Sequence, residues 1–281
     1  MEIKVSANAK INLSLDIVGT NEKGYHLIDS VFQSVSLCDE ITVEKSDTVS
    51  VICDDITICD KCNIAYKAAE KFFEYTAVDG GAEINIKKYI PLASGMGGGS
   101  ADAAAVVVAL DKIYNTNLTE AQLCEIGLSV GADVPFCILG GTARVGGIGE
   151  KMQKLSDMPD CAILLIKHGK KLSTADMYKK VDASPQSIFY TQTVANAIKN
   201  NDLNTVCQNV YNAFSAVCDN TELINNIKIT NPLAVSLSGS GPTVFAIYNN
   251  IADAIKAKNT LEKIGYIPIV ATPVSKGIII E

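Results

Sequence analysis

The amino-acid sequence predicts an α+β fold built as two domains. Three observations carry this: segments of alternating polarity crowd residues 2–53, helical periodicity enters after them, and a second series of strands and helices begins near residue 161. Alternation marks strands at 2–7, 10–18, 28–37, 40–45 and 49–53. Residues 63–75 have helical periodicity, 82–90 alternate again, and the alanine and valine run at 101–110 reads as a strong helix. Leu118-Thr119-Glu120-Ala121-Gln122 has the signature of a capping box and opens a helix to about Val130. The polar stretch Ser156-Asp157-Met158-Pro159-Asp160 precedes a new strand at 162–167, then helices, short strands at 234–237 and 244–248, and a helix at 251–264. The domain boundary is placed at that stretch, giving 1–157 and 158–281.

A chain of 281 residues with 48% hydrophobic content can bury a large core. Its longest apolar run, 103–110, is too short to span a bilayer, and Met-Glu-Ile-Lys at the start has no signal-peptide pattern, so a cytoplasmic protein is expected. Nine cysteines, an odd number set in apolar contexts such as Phe136-Cys137-Ile138, fit reduced buried thiols better than a disulfide framework. Cys59-x-x-Cys62 offers two metal ligands with Cys53 nearby, but no second pair or neighbouring histidine completes a zinc tetrahedron; incidental thiols are the simpler reading. A formal charge of −7 and the lack of a basic run with interleaved aromatics disfavour a nucleic-acid binder. A small polyanion stays admissible, although Arg144 is the only arginine, so any phosphate clamp must use lysine, backbone N–H groups and a metal ion.

The most informative segment is Pro91, Leu92, Ala93, Ser94, Gly95, Met96, Gly97, Gly98, Gly99, Ser100 and Ala101, which runs from a strand into the alanine-rich helix. Its four glycines permit positive φ and bring bare backbone against a ligand, so that successive N–H groups can converge on one anion. Ser100 suits the N-cap, and the helix behind it directs its positive end at the loop. The segment lacks both the G-K-[ST] ending of a P-loop and the G-x-G-x-x-G spacing of a dinucleotide fold, which also disfavours a nicotinamide oxidoreductase. A glycine-rich turn that merely packs a helix on a sheet is the alternative. A second turn, Ser238-Gly239-Ser240-Gly241-Pro242-Thr243, lies between two apolar strands and is weak evidence until paired with the first.

Ionisable candidates are few. Lys10 and Asn12 share one face of a strand, which is either half-exposed with a solvated lysine or part of a site. Asp133, among small and apolar residues in Gly131-Ala132-Asp133-Val134-Pro135-Phe136, should be partly buried and so needs a partner such as a lysine, unless it caps a turn. His26, in Gly24-Tyr25-His26, serves as a base, a recognition group or a core residue.

The segments Lys10-Ile11-Asn12-Leu13, 91–104 and 238–243 resemble, in order and separation, the three signature motifs of the GHMP small-molecule kinases. Gly24-Tyr25-His26 followed by Ser30-Val31-Phe32-Gln33, together with Gly131 to Phe136, resemble the branch whose acceptor is a cytidine-diphosphate derivative of methylerythritol in non-mevalonate isoprenoid synthesis. The likeness implies an N-terminal ribosomal-S5-like domain, a C-terminal ferredoxin-like domain and an active site between them. It implies ATP on the loop 91–101, adenine near Asn63, Ile64 and Lys88, and Mg²⁺ arriving with ATP and touching Ser100, with no metal fixed by the protein. By the same likeness Asp133 is the base with Lys10 beside it, and Asn12, Thr174, Gly239 and Ser240 hold the acceptor. His26 reads the cytosine edge while Tyr25 and Tyr178 sandwich the ring. A small-molecule substrate, no nucleic acid or membrane partner, and a monomer or weak homodimer are expected. Two departures stand out: Ala93-Ser94 replace a usual glycine or alanine pair, and Lys170-Lys171 add charge before Leu172. A mevalonate or homoserine kinase would lack the Gly-Tyr-His segment. A non-catalytic nucleotide binder of this fold has no reason to combine Lys10, Asn12 and Asp133.

Overall fold

Two long antiparallel strands, β1 (Glu2–Thr20) and β2 (His26–Ser46), form the spine of the first sheet, paired from Glu2 opposite Glu44 to Thr20 opposite His26. The computed structural model describes residues 1–281 except 59, 60, 171 and 184–186, so Cys59 and Lys171 lie outside the described residues. Each of these strands unites two strands expected from the sequence. Register shifts at Asn8/Ala9, Asn12/Ser14 and Ile17/Gly19 slip the inward and outward phases, and a phase slip reads in sequence as a break although the ladder continues.

The next elements are β3 (Ser50–Cys53), α1 (Ile64–Thr76), β4 (Gly81–Lys87), α2 (Gly98–Tyr114), α3 (Glu120–Val130), α4 (Val134–Leu139), β5 (Thr142–Gly147) and β6 (Lys151–Lys154). Asn63 caps α1 by accepting from the Ala65 N–H, and α3 opens on the full capping box of Thr119 and Gln122. The central helix α2 buries Ala101, residues 103–107, Ala109 and Leu110, and its alanines allow close approach to the sheet and to α1. Expected strand 82–90 ends at Lys87, because Lys88, Tyr89 and Ile90 leave the ladder to give their N–H groups to carboxylates.

The second half comprises β7 (Ala162–Lys167), α5 (Thr174–Asp182), α6 (Thr191–Lys199), α7 (Leu203–Gln208), β8 (Tyr211–Asn212), α8 (Thr221–Lys228), β9 (Ala234–Leu237), β10 (Thr243–Tyr248), α9 (Ile251–Glu262), β11 (Ile269–Ala271) and β12 (Ile278–Ile280). The sheets order as β12-β1-β2-β4-β3, with β5, β6 and β8 attached, and as β11-β7-β10-β9. The chain passes between sheets from Lys154 to Ala162, yet β8 and β12 return to pair with β1. One boundary at 157/158 therefore does not divide the sheets cleanly: the edge of β1 is satisfied by strands from the second segment. The eight described cysteines carry free thiols, and burial raises the pKa of Cys124 and Cys207 to about 11.

Candidate active site

The glycine-rich loop leaves β4 through the strap of Lys88, Tyr89 and Ile90 and ends at α2. Gly97, with φ +72°, is the N-cap of α2 and makes no side-chain cap. Ser100 is thus the third helical residue and not the expected cap. A left-handed cap favours glycine, and without a capping side chain the first helical N–H groups stay available to an anion. The loop's carbonyls are meanwhile engaged at its back. Leu92 O accepts from Lys167 Nζ (2.7 Å), Ser94 O from Thr243 N (3.1 Å), Gly95 O from Ser238 Oγ (3.0 Å) and Met96 O from Lys10 N (2.9 Å). A peptide whose oxygen is held on one side presents its N–H to the other, which suits an anion cradle, although the Met96 N–H is itself given to Ser94 Oγ (3.4 Å).

Lys10, on β1, is 4% exposed, because the loop and α4 cover the strand face that sequence alone leaves half-open. Its Nζ donates to Asn12 Oδ1 (3.0 Å), lies 3.4 Å from Asp133 Oδ2 and sits 4.3 Å from the Phe32 ring centroid. Asn12 Oδ1 also accepts from Gly239 N (2.9 Å), while Asn12 Nδ2 donates to Ser30 Oγ (3.1 Å). One asparagine therefore fixes both the lysine and the turn after β9. Asp133 is the residue before α4, but its side chain makes no cap hydrogen bond, so the turn-capping alternative is not realised. Its carboxylate is 35% exposed and faces the cleft.

These groups line one cleft of about 540 Å³ that also takes in Ile64, Lys88, Thr174, Tyr178, Gly239 and Ser240. Thr174 Oγ1 and Ser240 Oγ are 3.2 Å apart at its rim. Several expected site residues are placed differently. Met96 and Ala101 are buried, and Asn63 is occupied with Ala65 N and Ile58 O. Lys88 lines the cleft, but its ammonium is turned inward to Asp39 and Asp102. Tyr25 is 60% exposed and outside the cleft. His26 stacks directly on Tyr178 with ring centroids 4.2 Å apart, while its Nε2 lies 2.8 Å from Asp182 Oδ1. Tyr178 in turn meets Phe214 edge to face, and burial, then Asp133, raises its pKa.

The sequence reading quoted Phe32 and Asp102 within its motifs without giving them a role, and it missed Phe214, Lys167, Asp39 and Asn212. Asn212 was detectable only in three dimensions: its Nδ2 donates to Leu237 O (2.8 Å) and Gly239 O (2.9 Å), and its Oδ1 accepts from Phe214 N (2.9 Å). Asn212→Ala strands these buried groups, and an expected loss of about 2–3 kcal/mol in urea unfolding checks the assignment.

A helix N-terminus with free N–H groups, facing a buried lysine and a partly exposed carboxylate in one cleft between two sheets, defines a small-molecule phosphotransferase. Comparison with known proteins agrees. Residues 63–141 match the N-terminal domain of the GHMP kinases and residues 194–267 match their C-terminal domain. The chain is 39% identical over 272 residues to a 4-diphosphocytidyl-2-C-methyl-D-erythritol kinase of Clostridium botulinum, covering 94% of this chain and 95% of that one. It is 40% identical over 268 residues to the kinase of the same name in Acetivibrio thermocellus, covering 92% and 95%. A crystal structure of 4-(cytidine 5'-diphospho)-2C-methyl-D-erythritol kinase superposes with a TM-score of 0.80 at 27% identity over 97% of this chain and 99% of that one. A homoserine kinase from Cytophaga hutchinsonii shares the fold, with a TM-score of 0.77 at 20% identity over 100% and 97%. The chain belongs to the GHMP kinase family, within its 4-diphosphocytidyl-2-C-methyl-D-erythritol kinase branch.

Proposed function

We propose that this protein transfers the γ-phosphoryl group of ATP to the 2-hydroxyl of 4-diphosphocytidyl-2-C-methyl-D-erythritol. The observation that carries the reading is the single cleft in which the loop at the start of α2, the Lys10–Asp133 pair and the Thr174–Tyr178 wall converge. The triphosphate lies on the N–H groups of the loop and the first turn of α2, with the adenine toward Ile64 and Asn63. The acceptor hydroxyl sits between Asp133 and Lys10. Asp133 takes the hydroxyl proton late, since phosphoryl transfer has a loose transition state in which the nucleophile is little activated. Lys10, held rigidly by Asn12 and Phe32, neutralises charge that develops between hydroxyl and phosphate.

The residues present fit Mg²⁺ that arrives with the nucleotide. Ser100 supplies a hard oxygen beside the phosphates, and among the described residues no group of three or more His, Cys, Asp or Glu is placed to hold an ion unaided. An ion held there by Ser100 together with the nucleotide would supply charge neutralisation for the phosphate groups.

The cytidine end uses Tyr178, His26 and Tyr25. Tyr178 carries His26 stacked on one face and also lines the cleft, and the exposed Tyr25 would fold over a pyrimidine seated against Tyr178. The test is ATP consumption by purified protein with Mg²⁺ and, in parallel, the cytidine compound, mevalonate, homoserine or no acceptor. Turnover with the cytidine compound alone is expected. Turnover with another alcohol would keep the kinase and overturn the acceptor, and consumption without any acceptor dependence would overturn the transferase reading.

A further inference from the structure

Three buried ionic groups sit at the base of the phosphate loop. Lys88 Nζ lies 2.5 Å from Asp39 Oδ2 and 2.6 Å from Asp102 Oδ2, and the three side chains are 7%, 0% and 2% exposed. Lys88 belongs to the strap through which the chain enters the loop, and Asp102 to the opening turns of α2, where it leaves. The strap is itself held by acids: Lys88 N donates to Asp54 (3.1 Å), while Tyr89 N and Ile90 N donate to Asp39 Oδ1 (2.6 and 2.8 Å). A Cβ on Gly98, the first residue of α2, would lie 3.0 Å from Ile90 Cγ2 and 3.5 Å from Lys88 Nζ, so the ionic bridge passes directly against the helix start.

The cluster is a poor device for stability alone. Two carboxylates share one ammonium out of water, and Asp102 Oδ1 is buried with no hydrogen-bond partner among the described residues. Burial pushes the Asp102 pKa up; Lys88 works against this and Asp39 adds to it. Around Asp102 the charged or titratable groups are Lys88, Asp39 and, on α4, Cys137. An apolar residue at 102 in this alanine-rich helix would leave Lys88 and Asp39 as a neutral pair and remove the orphaned oxygen.

We infer that Lys88, clamped between Asp39 and Asp102, is a positioning residue that closes the loop at its base and sets the spacing between the strap and the first turn of α2. The inference rests on the reading of this loop as the ATP site. The bridge fixes where the N–H groups of Gly98, Gly99 and Ser100 point, and misplacement of such a constellation by about 1 Å is enough for large losses. In this reading the Lys88 ammonium holds protein to protein and is not a nucleotide ligand.

The rival reading, a lysine that contacts ATP, gives the opposite sign on substitution of Asp102. Asp102→Ala leaves Lys88 charged and frees one side of it, so a direct ligand would bind ATP equally well or better. A strut loses its far anchor instead. Asp102→Ala is expected to raise the ATP dissociation constant, measured calorimetrically with Mg²⁺, by roughly tenfold. Its melting temperature should stay at or above that of the wild type, and its acceptor KM should change less than twofold. Asp102→Asn, which retains an oxygen toward Lys88, should bind ATP like the wild type, and adding Lys88→Met to Asp102→Ala should weaken ATP no further. Asp102→Thr replaces the alanine variant if that chain does not accumulate as folded protein. Unchanged or tighter ATP binding in Asp102→Ala would overturn the inference, as would equal losses for ATP and acceptor accompanied by a fallen melting temperature. Failure of the wild type to bind ATP at all would overturn the nucleotide reading and this inference with it.

Discussion

Purified Asp133→Asn protein is expected to turn over at roughly one hundredth of the wild-type rate or less while keeping its melting temperature. Asparagine has the shape of aspartate but cannot take the hydroxyl proton, and no cap is lost because the Asp133 side chain caps nothing in α4. Lys10→Met should fall by a similar factor, since methionine fills the buried stem but removes the cation that Asn12 and Phe32 hold 3.4 Å from the carboxylate. The two losses should combine less than multiplicatively, as for groups that act on one proton transfer. Steady-state kinetics on both variants and the double variant check this, and near-wild-type turnover in either single variant would refute the assignment.

Gly95→Ala carries the second large effect. Gly95 has φ +79°, and an added Cβ would strike Ser238 O and come within 2.7 Å of Gly241 O, both rigid backbone. The glycine-rich loop and the turn after β9 must then separate, which breaks the bond of Ser238 Oγ to Gly95 O and disturbs the seat of Gly239 N on Asn12. An ATP KM at least about 10²-fold higher is expected from the displaced loop. Gly265→Ala is the control: φ is +92°, nothing lies within 4 Å of its added Cβ, and the cost is confined to dihedral strain of about 1–2 kcal/mol. Should Gly265→Ala impair ATP binding as strongly, the steric account of Gly95 fails.

Glycine spacing made the glycine-rich loop before α2 legible in the sequence, because positive φ and close backbone approach leave a compositional trace. The capping box of Thr119 and Gln122 was legible for the same reason, being a local interaction between named side chains. The burial of Lys10 was not: strand alternation reveals that Lys10 and Asn12 share a face, but not that α4 and the loop cover it. The register shifts in β1 and β2 hid two continuous strands behind apparent breaks. Asp39 did leave a signal, since period two places it on the face of Ile41 and Val43, both buried, and a carboxylate on such a face must find a partner. Asp102, among alanines in an apolar helix, left the same kind of signal. His26 and Tyr178 were both named, yet their mutual stacking depends on the approach of α5 to the start of β2, across more than half the chain.

The donors behind the glycine-rich loop bear on whether the halves of this enzyme are separable modules. Lys167, Ser238 and Thr243, which hold three loop carbonyls, all belong to the second segment, and β12 from that segment also edges the first sheet. A fragment ending near residue 157 would contain every glycine of the loop and none of those donors. Such a fragment would hold the glycine-rich motif without three of the four donors that seat its carbonyls, so the conformation of the loop depends on both halves of the chain.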